Sequence, residues 1–517
     1  MRKLTSVFAL TCFLVFLVIL LGCTKPVQPQ NYFYDYNIGT KINSHKFGFG
    51  VGFVEKQTAY LMNDLGANWA KVPQVTWAKM EPKAPQANLH YYNWNISDAF
   101  AREWTDNGFE IQLVIKTHSE WGTIKPKSNL KSCGIVDTNP KEENWDDYTA
   151  FLQRLAERYD FDGLDDMPNL KKAINYFEIG SEMQHEACYE GTPQDYIKLL
   201  RISSEAIKKA NPNAKIILSG IAFGDLFDDF PSEETFLKRA NYFTELGRDD
   251  LEFIKETLKA EEYYDYIEFH HNRDYKALYG TLDFIKKYSS KPIWAGDTAS
   301  GAFLKDDVSL FVPLYEKEIG VQLFNAVASS NNPNHELIKK WYRADQAKLT
   351  AKKLITGMNA GLVGMNIENI SDWGTEWEEM GLGNFMFIGL VDENKNPKPA
   401  YYAYKQIIDT LGEFTSSEMI NYDGNVIENK GKGTWLFKFN TPKREIFVSW
   451  LEDNYNDCPI CTPPTEPQEK VIDLSDYISG EVKVTPIFTK NSAPESSMLD
   501  SNAITITETP VFITSSN

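Results

Sequence analysis

Cysteine is scarce in this chain, six in 517 residues, which excludes a disulfide scaffold. Glycine (31) and proline (24) are not enriched enough for a collagen-like or disordered chain, and neither an internal repeat nor a low-complexity tract is visible. No long basic stretch interrupts the acidic excess. Lys plus Arg total 53 against 72 Asp plus Glu, a net charge of -19, which argues against nucleic acid as a partner. There is no Gly-rich phosphate loop after the first candidate strand, no Ser-His-Asp order and no metal signature, so neither a cofactor nor a metal is expected. Aromatic residues are plentiful: 12 Trp, 26 Tyr and 31 Phe make up 13% of the chain. That exceeds what a core calls for, and part of it is expected to line a binding surface.

Residues 1–23 read as a targeting segment. Arg2 and Lys3 give a positive start, and the apolar run from Val7 to Leu21 is short for a membrane span. Its end, Leu20-Leu21-Gly22-Cys23, resembles a bacterial lipobox, with an uncleaved anchor or an ordinary signal peptide as the alternatives. The resemblance implies acylation of Cys23 and a protein lipid-anchored to a membrane of the cell envelope, outside the cytoplasm, with residues 24–44 as tether and lead-in. Outside the cytoplasm the four remaining thiols are expected to form disulfides. Of three possible pairings, Cys133 with Cys188 and Cys458 with Cys461 is favoured. The Cys458-Pro459-Ile460-Cys461 pair is also compatible with a redox or metal half-site.

From 45 to 412, short β-rich runs alternate with longer amphipathic segments, the pattern of parallel strands joined by helical crossovers. The expected strands are Phe47 to Phe53, Trp69 to Val72, Ile111 to Ile115, Tyr176 to Ile179, Ile216 to Ser219, Tyr266 to His270, Pro292 to Ala295 and Leu362 to Ile367. Eight such repeats predict a (β/α)8 TIM barrel, an α/β fold whose reactive groups collect where strands end. A doubly wound sheet is the alternative, and it lacks the phosphate loop. From 413 to 517 the pattern changes to short β segments between turn residues, which predicts a small antiparallel β-sandwich.

Two acidic residues stand where expected strands finish: Glu182 in Tyr176-Phe177-Glu178-Ile179-Gly180-Ser181-Glu182, and Asp297 in Pro292-Ile293-Trp294-Ala295-Gly296-Asp297-Thr298. Strand alternation puts Glu178, Gly180 and Glu182 on one side, so that Glu182 projects into the barrel mouth. Strands four and seven face each other across that mouth. Glycosidic cleavage uses two such carboxyls, an acid that protonates the departing oxygen and a carboxylate that attacks the anomeric carbon or activates water. Trp77, Trp121, Trp373 and Trp377 fall in loops after strands two, three and eight, where their faces are expected to stack on sugar rings. His118 stands beside Trp121, and Glu368 on strand eight is an alternative carboxylate.

The chain resembles the clan A glycoside hydrolases, the superfamily that includes β-xylosidases, β-galactosidases and cellulases. The resemblance is carried by Leu65-Gly66-Ala67-Asn68-Trp69-Ala70-Lys71-Val72 with Trp77 and Glu81-Pro82, by Trp145-Asp146-Asp147-Tyr148 and Arg158-Tyr159, by Asp345-Gln346-Ala347, and by Pro397-Lys398-Pro399-Ala400-Tyr401-Tyr402-Ala403-Tyr404. It implies that Glu182 is the acid/base, that Asp297 holds the nucleophile position, and that the substrate is a carbohydrate. Departures accompany it. Ser181 stands where the family carries Asn, Asp297 where it carries Glu, and Lys71 where an Arg often lies beside the nucleophile. His270 matches a family His that lines the sugar site, whereas the Tyr usual two residues later is Asn272, with Tyr275 as the candidate substitute. The competing expectation is a surface glycan-binding lipoprotein that has lost turnover.

Overall fold

A computed structural model of the chain describes residues 42–43, 47–127, 133–245, 251–301, 317–373, 386–452, 459 and 468–516. The targeting segment, Trp377, Cys458 and Cys461 lie outside the described residues. No helix among the described residues is long and apolar enough to cross a membrane.

After a two-residue strand β1 (Ile42–Asn43), eight parallel strands close into a barrel: β2 (Gly48–Phe53), β3 (Trp69–Thr76), β4 (Glu110–Lys116), β5 (Tyr176–Ile179), β6 (Lys215–Ala222), β7 (Tyr266–His270), β8 (Ile293–Thr298) and β9 (Gly364–Asn369). β9 pairs with β2 to complete the ring. Helices such as Trp145–Arg158, Pro193–Ala210 and His335–Ala360 form the outer layer, where their apolar stripes are buried. Local signals set their ends. Thr192 and Asp195 form a capping box over the first turn that begins at Pro193, and Gly361 adopts a left-handed conformation after Ala360.

The remaining strands are β10 (Ser416–Met419), β11 (Thr434–Asn440), β12 (Glu445–Leu451), β13 (Lys470–Ile472), β14 (Glu481–Pro486), β15 (Ser497–Asp500), β16 (Ile504–Ile506) and β17 (Val511–Ser515). Seven of the strands form one antiparallel sheet in the order β1-β10-β11-β12-β17-β14-β15, and β13 and β16 make a second, smaller layer. The lead-in strand β1 thus belongs to the last sheet rather than serving only as a tether. Aromatic residues fasten this unit to the barrel. Tyr275 packs against Trp435 and Trp450 with ring centroids 5.1 and 5.7 Å apart, and Trp450 Nε1 donates to the Tyr275 hydroxyl at 3.2 Å.

The barrel interior is layered. Near the strand starts, Trp69 packs against Tyr176 and Trp294 at 4.5 and 4.3 Å between centroids, and Gly48 and Gly364 leave room for the Trp294 ring. Above this apolar plug lies a buried polar layer of Lys71, Gln112, Glu178 and Glu268. The candidate site rests on that layer.

Candidate active site

Lys71, on β3, is the hub of the polar layer. Its Nζ lies 2.5 Å from Glu268 Oε1 and 3.3 Å from both Glu178 Oε2 and Asp297 Oδ2. Burial alone would lower the Lys71 pKa, but the charges of Asp297, Glu178 and Glu268 outweigh it and hold the pKa well above the ordinary value. Gln112 Nε2 donates to Glu178 Oε2 at 2.9 Å and also to Glu268. Burial and the Glu268 charge push Glu178 up to about 7, whereas Lys71 and His270 hold Glu268 low against its own burial. A buried charge is tolerable only when paired in this way.

Asp297 faces inward because β8 is irregular. Along a regular strand Trp294 and Gly296 would point to the axis and Asp297 would point away. The register slips between Phe269 and His270 on one side and between Ala295 and Thr298 on the other, so His270 pairs with Asp297. This bulge turns consecutive residues inward. It requires glycine at 296, since a Cβ there would collide with the Glu268 carboxylate.

A different device places Glu182. Strand alternation predicted its direction, yet β5 ends at Ile179, and the following turn has positive φ at Gly180 (78°) and Glu182 (52°). Glu182 N–H donates to the Gly220 carbonyl at 2.9 Å, fixing the turn against β6. A non-glycine residue in the left-handed region is uncommon and concentrates at functional sites. The Cys133–Cys188 disulfide is present, with its Cα atoms 5.2 Å apart, and its sulfurs lie 3.9 and 3.7 Å from Glu182 Oε2. These are packing contacts, because a disulfide has no S–H to donate.

His270 joins the two carboxylates. Its Nδ1 lies 2.7 Å from Glu182 Oε1, and its Nε2 lies 3.2 Å from Asp297 Oδ2 and 3.6 Å from Glu268 Oε1. Spanned by one imidazole ring, Glu182 Oε1 and Asp297 Oδ2 are no more than about 8 Å apart, within reach of a single glycosidic bond. Burial opposes the charged ring, but Asp297, Glu182 and Glu268 raise the His270 pKa well above its ordinary value. Burial would likewise raise Glu182, but its hydrogen bond and charge contact with His270, helped by His185 and Lys116, lower it to about 2. The resting pair is therefore carboxylate and imidazolium. A neutral Glu182 poised as an acid is not what the resting site holds.

The other expected site residues divide. Lys71 and His270 are at the centre, and Ser181 sits half-buried in the turn before Glu182. Trp77 is fully buried, its ring packed against Trp121 and Phe151 and its Nε1 bonded to Glu81 at 3.0 Å, so it is core rather than a sugar platform. Trp121 is half-buried, with its Nε1 donating to the Glu81 carbonyl at 2.9 Å. Tyr275 is also fully buried and anchors the sandwich instead of replacing the absent sugar-site Tyr. Trp373 is half-buried, edge-on to Phe53. At strand three it is Lys116, not His118, whose charge bears on Glu182. His118 is half-buried, with Nε2 3.6 Å from Glu120. Asn272 ties the ends of β7 and β8 together by accepting from Ala299 N–H at 2.9 Å.

Glu268 and Gln112 were not singled out from the sequence, although a signal existed. Each is a polar residue within a buried strand, Gln112 in register with Lys116 on β4 and Glu268 in register with His270 on β7.

No family model and no curated protein matches the chain. Solved structures do. A family 39 glycoside hydrolase from Bacteroides cellulosilyticus aligns with a TM-score of 0.54 at 12% identity over 90% of this chain and 80% of its own. A family 30 endoxylanase from Clostridium papyrosolvens gives 0.51 at 11%, covering 92% and 98%. A monomeric β-xylosidase from Caulobacter crescentus gives 0.51 at 12%, covering 93% and 99%. At such identities the likeness concerns the fold alone: this chain, a TIM barrel followed by antiparallel sheets, shares its overall fold with these three structures.

Proposed function

We propose that the protein hydrolyses O-glycosidic bonds of an oligo- or polysaccharide, with Glu182 as acid/base and Asp297 as nucleophile or base. The observation that carries this reading is the convergence of the two strand-end carboxylates on His270 at the barrel mouth. The proton comes from His270. Its Nδ1, 2.7 Å from Glu182 Oε1, passes the proton to that carboxylate when a bound sugar excludes water, and Glu182 delivers it to the departing oxygen. Lys71 and His270 set positive charge 3.3 and 3.2 Å from Asp297 Oδ2, the carboxylate placed for attack on the anomeric carbon or on a water. The similar solved structures, described as a glycoside hydrolase, an endoxylanase and a β-xylosidase, agree with a carbohydrate substrate.

A panel of aryl glycosides and glycans, comparing wild type with Glu182→Gln, tests the assignment. Turnover by wild type and a loss of about 10² to 10⁴ in kcat for the variant are expected. Unchanged turnover in Glu182→Gln would reject the acid/base role. The low proton affinity of Glu182 favours one second reading, a cleft that binds glycans without cleaving them, for which the panel would give binding and no turnover. We further propose that the chain is held on an envelope membrane through acylated Cys23, a reading supported by Leu20-Leu21-Gly22-Cys23.

A further inference from the structure

The two-carboxylate scheme gives no task to Glu368, a buried acid whose charge neighbours include both carboxylates. Glu368 lies near the end of β9, 7% exposed, and its Oε2 has no hydrogen-bond partner among the described residues. Buried polar atoms are nearly always satisfied, so an orphaned carboxyl oxygen calls for an explanation. Alternation puts Glu368 on the same face as Asn366. Asn366 points to the barrel axis, where a Cβ on Gly50 would meet its Oδ1. One layer higher, Gly52 leaves clear the space beside Asp297, into which a Cβ would intrude.

We infer that Glu368 is a third working carboxyl of this site, one that hydrogen bonds a hydroxyl of the sugar ring held against Asp297. The inference rests on the carbohydrate reading above, not on the assignment of acid and base. The charged groups that face Glu368 come from every neighbouring element: Asp297 on β8, His270 on β7, Glu182 in the turn after β5, Lys71 on β3 and Lys353 on the helix His335–Ala360. Burial, then the Asp297 and Glu182 charges, outweigh the two cations at the mouth and push Glu368 up to about 8. Near neutrality its carboxyl therefore carries a proton. A neutral carboxyl donates one hydrogen bond and accepts another, as a sugar hydroxyl does, whereas a carboxylate only accepts. Glu368 thereby adds specificity without adding a second negative charge beside Asp297.

The test is binding and turnover as a function of pH for wild type, Glu368→Gln and Glu368→Ala, with circular dichroism confirming the fold of each. The probes are p-nitrophenyl glycosides for kcat and KM, and xylose, glucose, galactose and mannose for calorimetric binding. Wild type is expected to lose about tenfold in KM or Kd between about pH 6 and pH 9.5, as the donor is lost and a buried charge appears. Glu368→Gln keeps a donor and should be nearly flat across that range, while Glu368→Ala should bind about tenfold more weakly even at pH 6. Lys353 and Glu178 also titrate within this window, and the glutamine variant isolates Glu368 from them. An alkaline loss that persists in Glu368→Gln, or an alanine variant that binds as wild type does, overturns the inference. So does a wild type that binds no sugar at either pH. Sugar binding with the expected pH dependence but no turnover would remove the hydrolytic reading and leave Glu368 in place.

Discussion

At the scale of single residues, the site is a balance of protons among buried groups. Lys71 and His270 face five acids, Glu178, Glu182, Glu268, Asp297 and Glu368, of which Glu182 and Glu268 are held low and Glu178 and Glu368 are pushed up. Glu268, against Lys71, and Glu182, against His270, are ionised, whereas Glu178 is pushed up by burial and the Glu268 charge although Lys71 lies 3.3 Å away. Glu368, which lacks such a contact, is neutral at pH 7. A stability prediction follows from the sign of that shift. The folded state keeps the Glu368 proton up to about pH 8, whereas the unfolded chain releases it near pH 4.5, so wild-type stability falls as pH rises between these values. Glu368→Gln removes the penalty. Its melting temperature relative to wild type should climb from about pH 4.5 to pH 8 and level off above. A difference that is constant with pH in thermal melts would contradict a neutral buried carboxyl.

At the scale of elements, most of the barrel was legible. Eight apolar runs punctuated by amphipathic segments give eight parallel strands, because buried parallel strands are apolar on both faces and their crossovers need a helix. The motifs that carried the family resemblance prove largely architectural. Arg158 and Tyr159 bind Asp98, and Tyr401 and Tyr404 bond the Asp64 side chain and the Gly50 carbonyl, closing the ring of helices. Less legible were the irregularities. Regular alternation was expected to aim Glu182, but a left-handed turn does so, and Asp297 turns inward through a bulge that nothing in its own strand announced. Gly296→Ala tests the bulge. With Glu268 in the way, the added methyl should cost about 1 to 3 kcal/mol of stability and shift Asp297, so that kcat/KM falls further than stability explains. Unfolding curves and kinetics like those of wild type would show that the bulge is not needed.

At the scale of the whole molecule, two attachments fix what the cleft can meet. The sandwich grips the loop after β7 through Tyr275, Trp435 and Trp450, and through Lys276 Nζ to Glu452 at 2.9 Å, thereby bracing the segment that follows His270. The proposed lipid tether would keep the barrel at a membrane surface. Acyl chains contribute about 0.8 kcal/mol per buried methylene, so Cys23→Ser should move the protein from the membrane fraction to the soluble fraction, without loss of fold. Retention of the variant in washed membranes would show that the anchor is something else.

The sequence by itself determined the fold class and pointed to Glu182 and Asp297 as acids at or just beyond strand ends, because burial periodicity and position along a strand are local properties of the chain. Tertiary structure alone decided which aromatics are walls and which are core, since Trp77 and Tyr275 read as exposed loop residues until their packing partners are known. It also decided the protonation of Glu182, His270 and Glu368. A proton affinity inside a barrel is set by charges brought together from distant strands, and no single stretch of sequence contains that sum.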